Sequence, residues 1–289
     1  MSSSTPVLHL VPFVKGLAFP ESPRWHDGAL WFSDFYQRRV SRATEDGRVE
    51  AVVDVPGQPS GLGWLPDGRL LVVSMNDRRL LAWDGHALTE LADLSRAAPA
   101  PCNDMLVDPE GRAYIGNFGF DLQGRAPFAA TNLLLVTPDG RVQVAAGDMH
   151  FPNGTVLTPD RRTLIVGESY GQRLTAFDVA GDGTLGNRRV WAQLHGKGVG
   201  PDGICLDAEG AIWLASPVTR EVLRVREGGA ITDRIPTQDQ AVACMLGGSD
   251  RSTLFVLTGR VMVTPEQSLA QRGGAIWKTR VCVPGAGWP

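Results

Sequence analysis

Cysteine and histidine are scarce in this sequence, with four Cys and five His among 289 residues. The cysteines stand far apart along the chain, at Cys102, Cys205, Cys244 and Cys282. No two of them form a C-x-x-C pair, and the sequence has none of the short Cys/His spacings of a zinc motif. We therefore interpret them as reduced, mostly buried thiols.

The chain also lacks a strong excess of charge and any long hydrophobic run. It has 28 Lys plus Arg against 31 Asp plus Glu, a net charge of −3, which is too weak and mixed for a nucleic-acid surface. No run approaches the roughly 18 apolar residues of a membrane-spanning helix. Residues 1–19 lack the basic and apolar regions of a signal peptide. We expect a soluble cytoplasmic protein, with neither nucleic acid nor membrane as a partner.

A repeated unit is the main positive feature of the sequence. An acidic turn residue followed by a short apolar strand recurs six times, and 34 Gly and 20 Pro are spread between the units. The acidic residues are, in order, Asp27, Asp67, Glu110, Asp160, Glu209 and Asp250. Their spacing of 40 to 50 residues, with short alternating strands and no long helical periodicity, is typical of a four-stranded propeller blade.

This repeat predicts an all-β fold, a six-bladed β-propeller with four-stranded blades, as a single domain over residues 1–289. Strand-like segments at 7–14 and 275–281 are expected to share one blade. Joining the two ends of the chain closes the ring and removes exposed sheet edges. The alternative is a two-domain β protein with fortuitous spacing, against which the six matched units argue.

One position per unit is expected to face the channel. It lies seven residues before the acidic turn residue, or six in the first unit, and is occupied by Glu21, Ser60, Asn103, Asn153, Asp202 and Ala243. Equivalent positions in a propeller form a ring around the axis. The glycines after two of them, Gly154 and Gly203, are expected to let the chain turn away sharply. Asn-Gly and Asp-Gly are also common turn dipeptides, which is the alternative interpretation.

A ring of carboxylate and amide oxygens predicts one bound divalent ion, because the carboxylates would otherwise repel each other. Oxygen donors suit Ca²⁺ first and then Mg²⁺ or Mn²⁺. Zn²⁺ is a further candidate, although it usually recruits His or Cys.

Several strings in the chain carry a family resemblance. They are FPESPRW at 19–25, CND at 102–104, FPNG at 151–154, GES at 167–169 and PDG at 201–203. Together they resemble the SMP-30/gluconolactonase/LRE-like family of six-bladed propeller lactonases. The resemblance implies a divalent metal held by Glu21, Asn153 and Asp202, with Asp202 as general base and Asn103 contacting metal, water or substrate. Members use Ca²⁺, Zn²⁺, Mn²⁺ or Fe²⁺, so the resemblance leaves the ion open.

The substrate-binding residues are expected around this centre. Several sugar lactonases of the family carry an Arg where this chain has Pro101. The segment containing Phe120 and Asp121 adds aromatic surface. Both features favour a less polar substrate. Three further candidates are Asn117, His150 and Glu168. For His150 the alternative is a partly exposed loop residue, and for Glu168 it is an ion pair with Arg173.

The function predicted from these residues is hydrolysis of a small lactone. The metal would polarise the carbonyl, Asp202 would act as general base and Asn103 would orient substrate or water. One alternative is a related metal-dependent hydrolase of another electrophile, such as an organophosphate, an aryl ester or an epoxide, since a scaffold does not determine its substrate. The other is a non-catalytic binding propeller with a closed, structural ion site.

Overall fold

The computed structural model describes residues 8–261 and 263–288, and these residues form an all-β architecture. After strand β1 (Val11–Leu17), the strands follow one another in groups of four. The first blade contains β2 (Pro20–His26), β3 (Ala29–Asp34), β4 (Arg39–Ala43) and β5 (Val49–Asp54). The second contains β6 (Pro59–Trp64), β7 (Leu70–Ser74), β8 (Arg79–Trp83) and β9 (Leu88–Asp93). The third contains β10 (Cys102–Val107), β11 (Ala113–Asn117), β12 (Thr131–Val136) and β13 (Val142–Met149).

The second half of the chain continues the pattern and closes it. The fourth blade contains β14 (Pro152–Leu157), β15 (Thr163–Glu168), β16 (Arg173–Val179) and β17 (Leu185–Gln193). The fifth contains β18 (Ile204–Leu206), β19 (Ile212–Ser216), β20 (Glu221–Val225) and β21 (Ile231–Pro236). The sixth contains β22 (Gln240–Gly247), β23 (Thr253–Gly259) and β24 (Gly274–Arg280), with helix α1 (Pro265–Gln271) between the last two. Within the described residues, no helix has the length and apolar character needed to cross a membrane.

The predicted six-bladed propeller with four-stranded blades is confirmed. Strand β1 pairs antiparallel with β24 and forms the outer edge of the sixth blade. The ends of the chain therefore close the ring as expected, and the pairing of β1 extends to Leu17, beyond the predicted segment.

The blades pack face to face through apolar clusters that lie between neighbouring sheets. One cluster joins the second and third blades around Leu71 and Met105, and another joins the fourth and fifth around Ile165 and Leu214. The inner strands β10 and β14 are buried along their whole length, whereas the outer strand β13 is largely exposed. The last three residues of β10 and the last two of β14 are apolar and pack between blades, whereas the polar residues Asn103, Asp104 and Asn153 stand near the start of these strands.

The acidic turn residues of the repeat have a local structural role. In the fourth blade, Asp160 accepts hydrogen bonds from Arg162 N at 3.1 Å and from Thr158 Oγ1 at 2.6 Å. A carboxylate in this position satisfies backbone groups that the tight connection leaves unpaired. The sequence period thus reflects the hairpin that joins the first two strands of each blade.

The glycines after the channel-facing position, Gly154 and Gly203, allow the neighbouring inner strand to approach closely. A Cβ on Gly154 would lie 2.5 Å from Ile204 N, and one on Gly203 would lie 2.5 Å from the Cβ of Ala243. Neither glycine has a positive φ. Both are required because the next inner strand approaches closely. The expected sharp turn is absent at Gly154, which lies within β14, whereas the chain does bend at Gly203, directly before β18.

Candidate metal centre and substrate cavity

Four residues of the predicted ring meet at one mouth of the channel. Glu21, Asn103 and Asn153 are each the second residue of an inner strand, and Asp202 lies two residues ahead of β18. The inner strands of the first, third and fourth blades have register irregularities directly after this position. All four side chains border a single cavity of about 420 Å³. Equivalent positions in sequence therefore converge in space.

Two carboxylates face this cavity, and no ion pair with either of them is found among the described residues. Burial raises the pKa of Glu21 well above its usual range, and the charge of Asp202 raises it further. Burial likewise raises the pKa of Asp202 to about 8, although a hydrogen bond from Asn153 opposes the shift. Such a pair binds either a proton or a cation, because two ionised carboxylates at close range repel each other.

The amide of Asn153 joins the fourth blade to the fifth. Its Nδ2 donates to Asp202 Oδ1 at 2.5 Å and to Ser169 Oγ at 3.2 Å. Ser169 Oγ in turn donates to the carbonyl of Pro201 at 2.7 Å. This hydrogen bond engages Asp202 Oδ1, while Asp202 as a residue borders the cavity. Asn103 is buried and borders the same cavity.

The donor chemistry fits a hard divalent ion. In the part of the chain that the structure describes, the cavity is bordered by neither His nor Cys. Within residues 8–261 and 263–288, no group of three or more His, Cys, Asp or Glu side chains is placed to hold a metal. The oxygen donors around the two carboxylates are the amides of Asn103 and Asn153, and oxygen-only donor sets are of the kind that suits Ca²⁺.

A buried guanidinium lies next to the carboxylates and joins three blades. Arg24 is 3% exposed and donates to Leu62 O at 3.0 Å and to Asp104 Oδ1 at 2.6 Å. It also donates to the carbonyl of Met105. Its charge lowers the pKa of Glu21, although burial and Asp202 outweigh this effect. Arg24 lies within the string FPESPRW at 19–25 but was not predicted to be a functional residue.

Two of the expected substrate-binding residues are fully buried and hydrogen-bonded within the protein, away from the cavity. Glu168 is fully buried and accepts hydrogen bonds from Arg173 Nε at 2.8 Å and from His150 N at 2.7 Å. Asn117 is also fully buried, donates to Asn132 O at 2.7 Å and accepts from Thr131 Oγ1 at 2.6 Å. The hydrogen-bonding groups of both side chains are therefore engaged with other residues of the protein and are not available to a substrate. The structure thus supports the ion-pair interpretation of Glu168 and corrects the expectation for Asn117.

The other three candidates are placed differently from one another. Asp121 borders the cavity at its rim and accepts a hydrogen bond from Gly124 N at 2.8 Å. Phe120 lies behind the cavity, with its ring centroid 6.0 Å from that of Phe151. His150 is partly buried, and its ring lies against that of Phe128 at 5.1 Å. Phe120 and His150 are therefore one layer removed from the cavity.

Most of the apolar side chains that border the cavity were not predicted from the sequence, apart from Phe118 in the expected aromatic segment. Those not predicted include Phe19, Phe35, Tyr36, Met75 and Phe151. A signal was present for Phe19 and Phe151, since each stands two residues before a predicted metal ligand. The others directly follow the second strand of a blade. The sequence repeat does not align any residue at that point, so it predicts no cavity residue there.

We expect Glu168→Gln to destabilise the protein without any direct effect on the cavity. Burial raises the pKa of Glu168, but hydrogen bonds from Arg173, Thr175 and the His150 backbone outweigh it and leave the pKa below its usual 4.5. The stabilisation is therefore present above pH 4.5 and lost as the pH falls through the lowered pKa. At pH 7, the free energy of unfolding should fall by about 1.5–3 kcal/mol, measured by chemical denaturation.

The matched control for Glu168→Gln is Asp54→Asn, which removes an ion pair between Arg39 and an aspartate whose side chain is 63% exposed. Its stability should stay close to that of the wild type, because exposed pairs contribute little. A difference between Glu168→Gln and wild type that stays constant from pH 7 to pH 3 would contradict the assignment.

The chain is similar to known proteins over most of its length. A model of the SMP-30/Gluconolactonase/LRE-like region matches residues 19–260. The chain is 30% identical to the 6-deoxy-6-sulfogluconolactonase of Pseudomonas putida over 278 residues, covering 93% of each chain. It is 29% identical to regucalcin of Danio rerio over 85% of this chain and 84% of that one. The residues assigned to the centre all lie within the matched region.

Solved structures show the same architecture. The calcium-binding protein regucalcin of Agrobacterium tumefaciens superposes with a TM-score of 0.82 at 24% identity, covering 99% of both chains. A gluconolactonase of Xanthomonas campestris superposes with a TM-score of 0.76 at 26% identity, covering 96% of this chain and 90% of that one. The six-bladed propeller is therefore shared with proteins that differ from this chain at most positions.

Proposed function

Since this chain belongs to the SMP-30/gluconolactonase/LRE-like family, we propose that it is a metal-dependent hydrolase that opens a small lactone. The observation that carries the proposal is the pairing of Glu21 and Asp202 at the base of a substrate-sized cavity, beside Asn103 and Asn153. The family and its sulfogluconolactonase and gluconolactonase members support lactone hydrolysis.

We assign Glu21, Asn153 and Asp202 as the residues that would hold one divalent ion, with Ca²⁺ favoured over Zn²⁺, Mn²⁺ and Fe²⁺ by the oxygen-only donors. Such an ion would polarise the lactone carbonyl and stabilise the oxyanion that develops. Glu21 supplies charge from the first blade. Asn153 would turn its oxygen to the ion, and Arg24 keeps the neighbouring Asp104 neutralised.

Asp202 is the proposed general base. Its Oδ1 accepts the hydrogen bond from Asn153, so the proton of the attacking water would go to Oδ2. The water oxygen would add to the carbonyl carbon as the C=O π bond opens to an oxyanion, and the ring C–O bond would break when the carbonyl re-forms. The departing alkoxide then takes the proton from Asp202, and lactone plus water yields a hydroxy acid. Asn103 would orient the water or the carbonyl from the third blade.

A second candidate function is hydrolysis of an aryl ester, which the aromatic side chains bordering the cavity favour. It would use the same proton transfer through Asp202. The lactone has priority because the family strings and the named relatives agree on it.

The test is hydrolysis of a panel of lactones and aryl esters, followed by acid release with a pH indicator. EDTA treatment should lower turnover by more than about 100-fold, and adding back Ca²⁺, Mn²⁺, Zn²⁺ or Fe²⁺ should restore it with one ion preferred. Turnover that survives complete chelation would contradict metal dependence. Tight metal binding without turnover of any substrate would instead indicate a binding propeller with a structural ion.

A further inference from the structure

The first blade presents a rigid aromatic wall to the cavity. Phe19 packs against Phe35 and Tyr36, with ring centroids 5.4 Å and 5.5 Å apart. The Phe19 backbone N–H donates to Asp34 Oδ1 at 3.0 Å, and its carbonyl accepts from Phe35 N at 3.0 Å. This wall is therefore held by backbone hydrogen bonds as well as by packing.

A second aromatic wall comes from the third and fourth blades. Phe118 stacks on Phe151 with ring centroids 4.7 Å apart and an interplanar angle of 16°. Tyr170 stacks behind Phe151 at 5.3 Å. The backbone of Phe151 has a φ of 62°, which is unusual for a bulky residue and costs energy. The surrounding structure therefore forces this ring into its position at the cavity.

The two walls lie on opposite sides of the channel, because the first and fourth blades are three positions apart in a ring of six. Above them, Val261, Val263 and Pro265 add apolar surface from the segment between β23 and β24. This segment is tied to the first blade by a hydrogen bond of 2.9 Å from Ser268 Oγ to the carbonyl of Ala18. A flat substituent on the substrate would therefore meet apolar surface on two sides and above.

The rim of the cavity offers no net charge for an ionic substituent. Among the described residues bordering the cavity, Arg125 is the one cation, and Asp121 lies on the same loop. The amide of Gln58 is engaged with Met75 Sδ at 3.3 Å and with Asn76 at 3.4 Å. The other polar side chains that border the cavity away from the carboxylates are Asn76, Gln123, Arg125 and Thr264. Sugar hydroxyls held between the aromatic walls would lose water to apolar ring surface, which is unfavourable for groups that find no partner there.

From this geometry, and resting on the proposed lactone hydrolysis, we propose that the site selects uncharged lactones that carry an aromatic ring over polyhydroxylated sugar lactones. The ring lies between Phe19 and Tyr36 on one side and Phe118 and Phe151 on the other. The lactone carbonyl then reaches the centre formed by Glu21 and Asp202. Among these rings, Phe118 is the specificity-determining residue best suited to substitution. It is only half-buried, so its removal should disturb the fold least.

The test compares dihydrocoumarin with D-glucono-1,5-lactone, both six-membered lactones, with each rate divided by the uncatalysed rate. Wild-type kcat/KM should favour dihydrocoumarin by about 10–100-fold, since an aryl ring transfers favourably from water to an aromatic pocket. Phe118→Ala should lower kcat/KM for dihydrocoumarin by about tenfold or more, mainly through KM, and leave the sugar lactone within about threefold.

The matched control is Phe128→Ala, which removes a 43% exposed ring that does not border the cavity. It should leave both kcat/KM values close to those of the wild type. Thermal melts of both variants verify that they fold. Preference for the sugar lactone, or an equal loss on both substrates in Phe118→Ala, would overturn the inference while the proposed function stands.

A binding measurement separates the inference from the proposed function. Dihydrocoumarin binding to the EDTA-treated protein, followed by saturation-transfer NMR, should be weakened at least about tenfold by Phe118→Ala. If neither lactone is hydrolysed but this binding depends on Phe118, the proposed function fails and the aromatic selection stands. If binding does not change in the variant, the selection is wrong whether or not lactones are hydrolysed.

Discussion

Asp202→Asn should lower kcat for lactone hydrolysis by about 10²–10⁴-fold, the usual contribution of a positioned general base. The amide keeps the size of the side chain and an oxygen that can accept the hydrogen bond from Asn153, now 2.5 Å from Asp202 Oδ1. It cannot take a proton from water at neutral pH, and it removes one of the two charges that face the ion. The loss should appear at saturating metal, because the missing proton acceptor cannot be replaced by more ion.

The control for this prediction is Asp160→Asn, which changes an exposed aspartate in a hairpin turn of the fourth blade. It should retain kcat and KM. Steady-state kinetics across a Ca²⁺ titration separates the two contributions of Asp202. If Asp202→Asn regained full kcat at high Ca²⁺, the residue would be a ligand only, and the base would have to be sought elsewhere.

Glu21→Gln should have opposite effects on the metal-bound and metal-free protein. Removing a charged ligand should weaken the apparent metal affinity by about 100-fold or more, since even residues that only orient ligands contribute 10–100-fold. The metal-free protein should instead become more stable by about 1–3 kcal/mol, because a buried charge without a partner is costly. The repulsion between Glu21 and Asp202 disappears with the substitution.

The pH dependence gives this prediction a second readout. Burial and Asp202 raise the pKa of Glu21 above its usual 4.5, so the metal-free wild type loses stability as the pH rises through the raised pKa. The advantage of Glu21→Gln should therefore grow from pH 5 to pH 9. Chemical denaturation in EDTA and calorimetric Ca²⁺ titration provide the two measurements, with the exposed Glu45→Gln as control. A metal-free variant less stable than wild type at pH 8 would contradict the unpaired-carboxylate account.

The sequence by itself determined the architecture and the ring of polar residues. Both depend on local signals that recur. Asp67, Asp160 and Asp250 each accept a hydrogen bond from the backbone N–H two residues on, so their spacing reports the hairpin of the blade. Once six blades are inferred, rotation about the axis brings Glu21, Asn153 and Asp202 together without further information.

Only the tertiary structure decided which polar residues are free to act and what surrounds them. Glu168 was predicted to bind substrate, yet it accepts hydrogen bonds from Arg173 and from the backbone N–H of His150. Arg24 had no assigned role, yet its hydrogen bonds reach residues 38 and 80 positions away. The physical reason is that burial and pairing depend on contacts between blades. The repeat period determines the position of a residue within its blade, whereas the neighbouring blade determines which groups its side chain contacts.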